Sequence, residues 1–109
     1  MNIIEKIGKN NSFVIVLEDY YGSGWVNYIY QATENKIVPD RFEKEEIEVS
    51  WDYSEYILLF EKDGLKVKIE IDDLGPVSFI LKENITQENK QKLREWATII
   101  AEEVEKIKK

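Results

Sequence analysis

The spacing of apolar residues first follows the period of a β-strand. Residues 65–72 alternate strictly between apolar and charged side chains, which predicts a strand with one buried and one solvated face. The dipeptide Asp63-Gly64 just before them is typical of a two-residue type I′ hairpin. Residues 56–62 are therefore expected to form the other strand of that hairpin.

Two segments with strand character precede this hairpin. The uninterrupted apolar run within residues 12–19 is typical of a strand that is covered on both faces and is central in its sheet. Residues 25–32 are rich in aromatic and β-branched side chains, which favours a strand. The loop Gly22-Ser23-Gly24 between the two segments suits a hairpin turn, so we expect residues 25–32 to return along residues 12–19.

The other strand signals are shorter. Residues 47–53 alternate, and residues 77–82 form a last short strand after the break at Gly75-Pro76. Residues 33–46 show the least regular pattern, and residues 1–8 are interpreted as a lead-in with one helical turn. The tryptophans expected in the core are Trp25, Trp51 and Trp96.

The C-terminal segment changes to the period of an α-helix. Apolar residues recur every three or four positions between Leu93 and Ile107, which predicts one buried stripe. Thr86 is a suitable N-cap, and Glu88 suits the positive end of the helix dipole. We therefore expect a helix of about 22 residues, about 10 Å wide.

These elements predict one α+β domain over residues 1–109: an antiparallel β-meander of about six strands packed against one long C-terminal α-helix. Neighbouring strands lie about 4.8 Å apart, so a single helix cannot cover six of them. Part of the sheet surface is expected to stay uncovered.

The composition argues against catalysis. The chain has neither cysteine nor histidine, which excludes Ser-His-Asp and Cys-His arrangements and disfavours zinc and haem sites. Its one glycine-rich loop, Gly22-Ser23-Gly24, lacks the spacing of a phosphate-binding loop. Adjacent carboxylates such as Asp72-Asp73 point to opposite faces of a strand. We expect no enzyme activity, no cofactor and no bound metal.

The location follows from similar arguments. No apolar run approaches the roughly 20 residues needed to cross a bilayer, and the N-terminus lacks the pattern of a signal peptide. The abundance of Lys, Glu, Ile and Asn is typical of AT-rich bacterial or phage genomes. We therefore expect a cytoplasmic bacterial protein with no membrane contact.

Charge is the feature that bears most on function. The chain carries 15 Lys+Arg against 22 Asp+Glu, a net charge of −7. Residues 33–64 hold 4 of the basic and 10 of the acidic residues, so this third alone contributes 4 − 10 = −6. Such a field favours a basic partner and disfavours direct binding of nucleic acid. The candidate partner-binding residues are Glu43, Glu45, Glu46, Glu48, Asp52, Tyr53, Glu55 and Tyr56.

Three interpretations follow. The first is an inhibitor or immunity-type protein that masks a basic target such as a nuclease toxin or a nucleic-acid-binding enzyme; the similarity to such proteins is one of size and charge alone. The second is a regulatory or accessory domain that binds a partner, or forms a homodimer, through its uncovered sheet face. The third is a small-ligand-binding protein with Tyr20, Tyr21 and Trp25 around a pocket. The acidic side chains between Glu43 and Glu55 also have a simpler interpretation, as a solvated surface.

Overall fold

The computed structural model describes residues 3–51 and 53–108 and shows a six-stranded antiparallel sheet with its helices packed on one face. The elements in chain order are β1 (Ile3–Ile7), β2 (Phe13–Tyr21), α1 (Val26–Ala32), β3 (Arg41–Ser50), β4 (Tyr53–Lys62), β5 (Leu65–Asp72), β6 (Pro76–Leu81) and α2 (Gln87–Ile107). Short helical turns add Lys9–Asn11, Ser23–Trp25 and Thr33–Ile37. The predicted α+β class, with an antiparallel sheet and one long C-terminal helix, is confirmed.

The strand order is β1-β2-β6-β5-β4-β3. Strands β3 to β6 form a continuous meander, and the β1–β2 hairpin joins it through antiparallel pairing of β2 with β6. Strand β2 therefore lies inside the sheet, and its residues 13–17 are all buried, as their unbroken apolar run predicts. The Asp63-Gly64 turn joins β4 to β5, with positive φ angles of 53° and 77° that suit a type I′ hairpin.

The core lies between the sheet and α2. Leu93, Ala97, Ile100 and Val104 form the fully buried stripe of the helix and pack on inward-facing residues of the sheet. Thr86 caps the helix: its Oγ1 accepts a hydrogen bond from the backbone N–H of Asn89 at 3.1 Å. The predicted helix, cap and stripe are all confirmed. Neither α1 nor α2 packs on the opposite side of the sheet, which we call the open face.

The prediction of a strand over residues 25–32 is wrong, because most of this segment forms α1. Val26, Ile29 and Ala32 recur every three residues, and all three are buried in the core beside α2. Strand propensity in aromatic and β-branched residues reflects how they pack on a sheet, and here tertiary packing on a helix face overrides it. Gly22-Ser23-Gly24 accordingly leads into a helical turn and not into a hairpin.

One edge strand, β1, and the first part of the other, β3, went unrecognised in the sequence. Residues 1–8 were expected to contain a helical turn, but Ile3–Ile7 pairs with β2 as β1. Strand β3 begins at Arg41, within the segment of least regular pattern, and pairs with β4 from its first residue. Both strands lie at the edges of the sheet, where charged side chains are favoured because they block pairing with other chains. Such charges obscure the alternation that would reveal a strand.

The strand predicted over residues 47–53 is not continuous, because a turn interrupts it. Strand β3 ends at Ser50 and β4 begins at Tyr53. Trp51 lies in the turn between them and is 95% exposed, so its expected place in the core is wrong. Trp96 is buried as expected, and Trp25 is partly buried against the core.

Candidate partner-binding surface

One end of the sheet lacks cationic residues on the sheet segments that form it. Residues 10–35, 45–61 and 69–81 contain no Lys or Arg. These three segments meet where β2 ends, where β3 turns into β4 and where β5 turns into β6. We call this region the acidic end and define it by its described carboxylates: Glu18, Asp19, Glu46, Glu55, Asp72 and Asp73.

Hydrogen bonds to Asp73 hold the turns of the acidic end together. Its side chain accepts a hydrogen bond from the Ser23 hydroxyl and another, at 2.8 Å, from the backbone N–H of Ser54. The backbone N–H of Gly22 donates to the carbonyl of Gly75 at 2.9 Å. One carboxylate therefore links the turn after β2, the start of β4 and the turn after β5.

These hydrogen bonds also affect the titration of Asp73. The Ser23 hydroxyl, followed by the Ser54 N–H, stabilises the ionised carboxylate and lowers the pKa of Asp73 below its ordinary value of 3.8. A lowered pKa in the folded state means that the carboxylate stabilises the fold above the ordinary pKa. That contribution is lost as the pH falls through the lowered value.

The variant Asp73→Asn should therefore be less stable than the wild type near neutral pH and should lose less stability on acidification. Urea unfolding at about pH 7 and about pH 3 measures both differences. Glu102→Gln, on the exposed side of α2, is the control because it removes one charge without touching these hydrogen bonds. Equal pH dependence of Asp73→Asn and the control would show that Asp73 does not link the turns.

Aromatic and apolar side chains stand exposed among these carboxylates. Trp51 is 95%, Leu74 71% and Tyr21 61% exposed. Two half-buried tyrosines add to the surface and interact with carboxylates: the Tyr56 hydroxyl donates to Glu46 Oε1 at 3.2 Å, and Tyr53 hydrogen-bonds to Asp72. Tyrosine and tryptophan are the residues most enriched in binding hot spots.

The pKa values of Tyr53 and Tyr56 reflect this environment. Partial desolvation is the largest cause that raises the pKa of each phenol, and the neighbouring Asp72 or Glu46 raises it further. Both hydroxyls are therefore protonated at neutral pH and act as hydrogen-bond donors. They can donate to a partner only after leaving the carboxylates they now contact.

The structure divides the eight candidate residues predicted from the sequence. Glu46, Tyr53, Glu55 and Tyr56 lie at the acidic end. Glu43 and Glu45 are exposed farther along β3, paired with Leu59 and Ile57 of β4. Glu48 pairs with Ser54 through its backbone, and Asp52 lies outside the described residues.

The glutamates of β3, Glu43, Glu45 and Glu46, also face in two directions, because successive residues of a strand alternate between its faces. Phe42 packs against the core. Glu43 and Glu45 lie one and three residues after it on β3, so they belong to the opposite face, the open face. Glu46 shares the face of Phe42. These glutamates therefore do not form one flat acidic surface. A partner that contacts Glu46 approaches from a different side of the sheet than one that contacts Glu43 and Glu45.

Four carboxylates of the acidic end escaped the sequence reasoning: Glu18, Asp19, Asp72 and Asp73. The signal that could have found them is the absence of Lys and Arg from three separate segments. Two described cations lie near this region on the helix side. Lys44 Nζ lies 6.0 Å from the centre of the Tyr56 ring, and Lys108 Nζ lies 5.6 Å from the centre of the Trp25 ring and forms an ion pair with Glu105 at 2.8 Å.

Tyr20, Tyr21 and Trp25, around Gly22-Ser23-Gly24, line neither of the two cavities that stand out among the described residues. Tyr20 is 3% exposed, and its ring centre lies 4.6 Å from that of Trp25. Burial, followed by a hydrogen bond to Glu105, strongly raises the pKa of Tyr20. Two cavities of about 470 and 660 Å³ lie instead on the open face and share Lys68, Ile80 and Lys82.

Comparisons with known proteins leave the fold and the surface as the basis for assigning a function. No protein-family model matches the chain, and no curated protein or solved structure matches it either. Within residues 3–51 and 53–108, no three acidic side chains are grouped so that they could hold a metal ion. In the same residues, no helix combines the length and the apolar character needed to span a membrane. The fold is that of a small α+β protein whose functional candidates are surface features.

Proposed function

We propose that this protein is a non-catalytic inhibitor or immunity-type protein that masks a basic protein, such as a nuclease toxin or another nucleic-acid-binding enzyme. The observation that carries the proposal is the convergence of three segments without Lys or Arg at the acidic end, beside the almost fully exposed Trp51. The abundance of Lys, Glu, Ile and Asn, which is typical of AT-rich bacterial or phage genomes, fits a role in the bacterial cytoplasm.

The chemistry of such a target fits this surface. Enzymes that act on nucleic acids bind phosphates with clustered Lys and Arg. A second set of anionic groups held in a fixed arrangement competes for those cations. Long-range attraction between the two surfaces accelerates association, and added salt weakens it.

Hydrogen bonds already connect the described turns of the acidic end in the free protein. Asp73 joins them through its hydrogen bonds to Ser23 and Ser54. Binding then requires little further ordering of the backbone, so less conformational entropy is lost on association. Trp51 adds apolar contact area, which charge pairs alone do not provide.

Paired charge-neutralising variants test the proposal. Glu18→Gln/Glu46→Gln removes two charges at the acidic end, and Glu88→Gln/Glu102→Gln removes two from α2. All four side chains are exposed, and both variants have the same net charge. The partner is first isolated on the immobilised full chain at low salt, identified by mass spectrometry and purified, and its affinity is then measured by calorimetry.

We expect a basic nucleic-acid-processing protein that is released by high salt. The acidic-end variant should bind it about tenfold more weakly, and the α2 variant should bind within about twofold of the wild type. Equal losses in both variants would mean that net charge alone drives binding. An acidic partner, or binding that is insensitive to salt, would overturn the proposal.

A further inference from the structure

The open face has an apolar centre that two rows of residues build across the strands. In the first row Val14 is paired with Ile80 of β6, and Leu59 lies two strands beyond, on β4, with Lys68 of β5 between them. Val14 and its neighbour Val16 are already buried in the single chain, at 5% and 6% exposed. The second row contains Val16, which follows Val14 on the same face of β2, and Ile57 on β4. Leu59 remains 39% exposed in the single chain.

Charge divides the open face into two opposite sides, along the direction of the strands. The first side, toward the start of β3, carries six cations and three anions: Lys6, Lys9, Arg41, Lys66, Lys68 and Lys82 with Glu43, Glu61 and Glu83. The second side, toward the acidic end, carries four carboxylates: Glu45, Glu55, Glu70 and Asp72. Among the described residues of this second side there is no Lys or Arg.

This division makes the open face complementary to itself. A two-fold axis that lies in the interface and runs across the strands, between the two apolar rows, places the cationic side of each copy against the anionic side of the other. The same rotation sets Leu59 opposite Ile57, Lys68 opposite Glu70 and Lys66 opposite Asp72 of the second copy. It also sets Glu43 opposite Glu45 and Glu61 opposite Glu55, so the attraction comes from the net charges of the two sides and not from every opposed pair. We propose that the open face binds a second copy of this chain, forming a two-sheet sandwich with apposed faces about 10 Å apart.

The charge pattern favours this occupant over others. A uniformly basic partner would be repelled by the six cations of the first side, and a nucleic acid by the four carboxylates of the second. Only a surface with the same division, turned by the two-fold axis, matches both sides. The cavities that share Lys68, Ile80 and Lys82 provide depressions that side chains of the second copy can enter.

The available area predicts a weak dimer. Six strands 4.8 Å apart span about 29 Å, and the two sides with the apolar rows between them extend about 20 Å along the strands. Each copy thus contributes roughly 600 Å², for about 1,200 Å² in total, at the lower limit of specific interfaces. The dimer covers Glu55 and Asp72, which also belong to the acidic end, and leaves Glu46 accessible on the other face of β3.

Sedimentation velocity of the full chain over a range of concentrations should show the mass rising from one chain toward two. Leu59→Glu should abolish this rise. Ile99→Glu is the matched control: Ile99 is also 39% exposed but lies on α2, so its variant should dimerise as the wild type does. Circular dichroism verifies that both variants fold. A wild type that stays monomeric, or equal loss of dimer in both variants, would overturn the proposal.

A charge-swap experiment tests the two-fold arrangement itself. Lys66→Glu/Lys68→Glu places acidic side chains opposite Asp72 and Glu70 of the second copy, and Glu70→Lys/Asp72→Lys places basic side chains opposite Lys68 and Lys66. Each variant alone should be monomeric, because like charges then face each other. An equimolar mixture should recover a dimer of unlike chains, and failure of the mixture to dimerise where the wild type does would refute this arrangement.

Discussion

Replacing Trp51 with alanine should weaken binding of the basic partner by about thirtyfold, which corresponds to about 2 kcal/mol. The side chain is 95% exposed in the free protein, so its apolar surface remains available for burial in an interface. For the same reason its loss should change the free energy of unfolding by less than about 0.5 kcal/mol. Calorimetric titration and urea unfolding measure the two effects separately.

The matched control for Trp51 is Ile7→Ala. Ile7 is also an exposed apolar side chain, 78% exposed, but it ends β1 at the opposite end of the sheet. Its variant should bind as tightly as the wild type. Unchanged binding by Trp51→Ala would remove this residue from the interface. A loss of stability above about 1 kcal/mol would show that Trp51 packs in the core after all.

Replacing Phe60 with alanine should lower the free energy of unfolding by about 3–5 kcal/mol. Phe60 is 2% exposed, and its ring centre lies 5.7 Å from that of Trp96 on α2 and 6.4 Å from that of Phe42 on β3. Truncation removes these contacts and leaves a cavity that the surrounding side chains fill only in part. The change should appear as a lower midpoint of urea unfolding with an unaltered slope.

The neighbouring residue supplies the control. Leu59 lies on the same strand but faces the open side and is 39% exposed, so Leu59→Ala should cost less than about 1 kcal/mol when the chain is dilute enough to be monomeric. A one-residue shift in the register of β4 would exchange the two side chains between the faces. Equal or reversed losses would therefore contradict the described register.

The candidate site was predictable only in part. The excess of acid in residues 33–64 pointed to the β3–β4 hairpin, and Glu46, Tyr53, Glu55 and Tyr56 do lie at the acidic end. Glu18 could not be assigned to the same region, because β2 reaches it only by way of β6, which follows some 60 residues later in the chain. That pairing depends on strand order, which local patterns do not encode.

The sequence by itself determined the features that depend on neighbours along the chain. These are the alternation of β5, the Asp63-Gly64 turn, the capped and amphipathic α2, and the lack of histidine and cysteine chemistry. The tertiary structure decided what depends on distant contacts: that Val26, Ile29 and Ala32 form a helix, that Trp51 is exposed, and that charges from three turns meet. The period of the hydrophobic pattern depends on residues a few positions apart in the chain. The burial of a side chain depends on the surface that the completed fold packs against it.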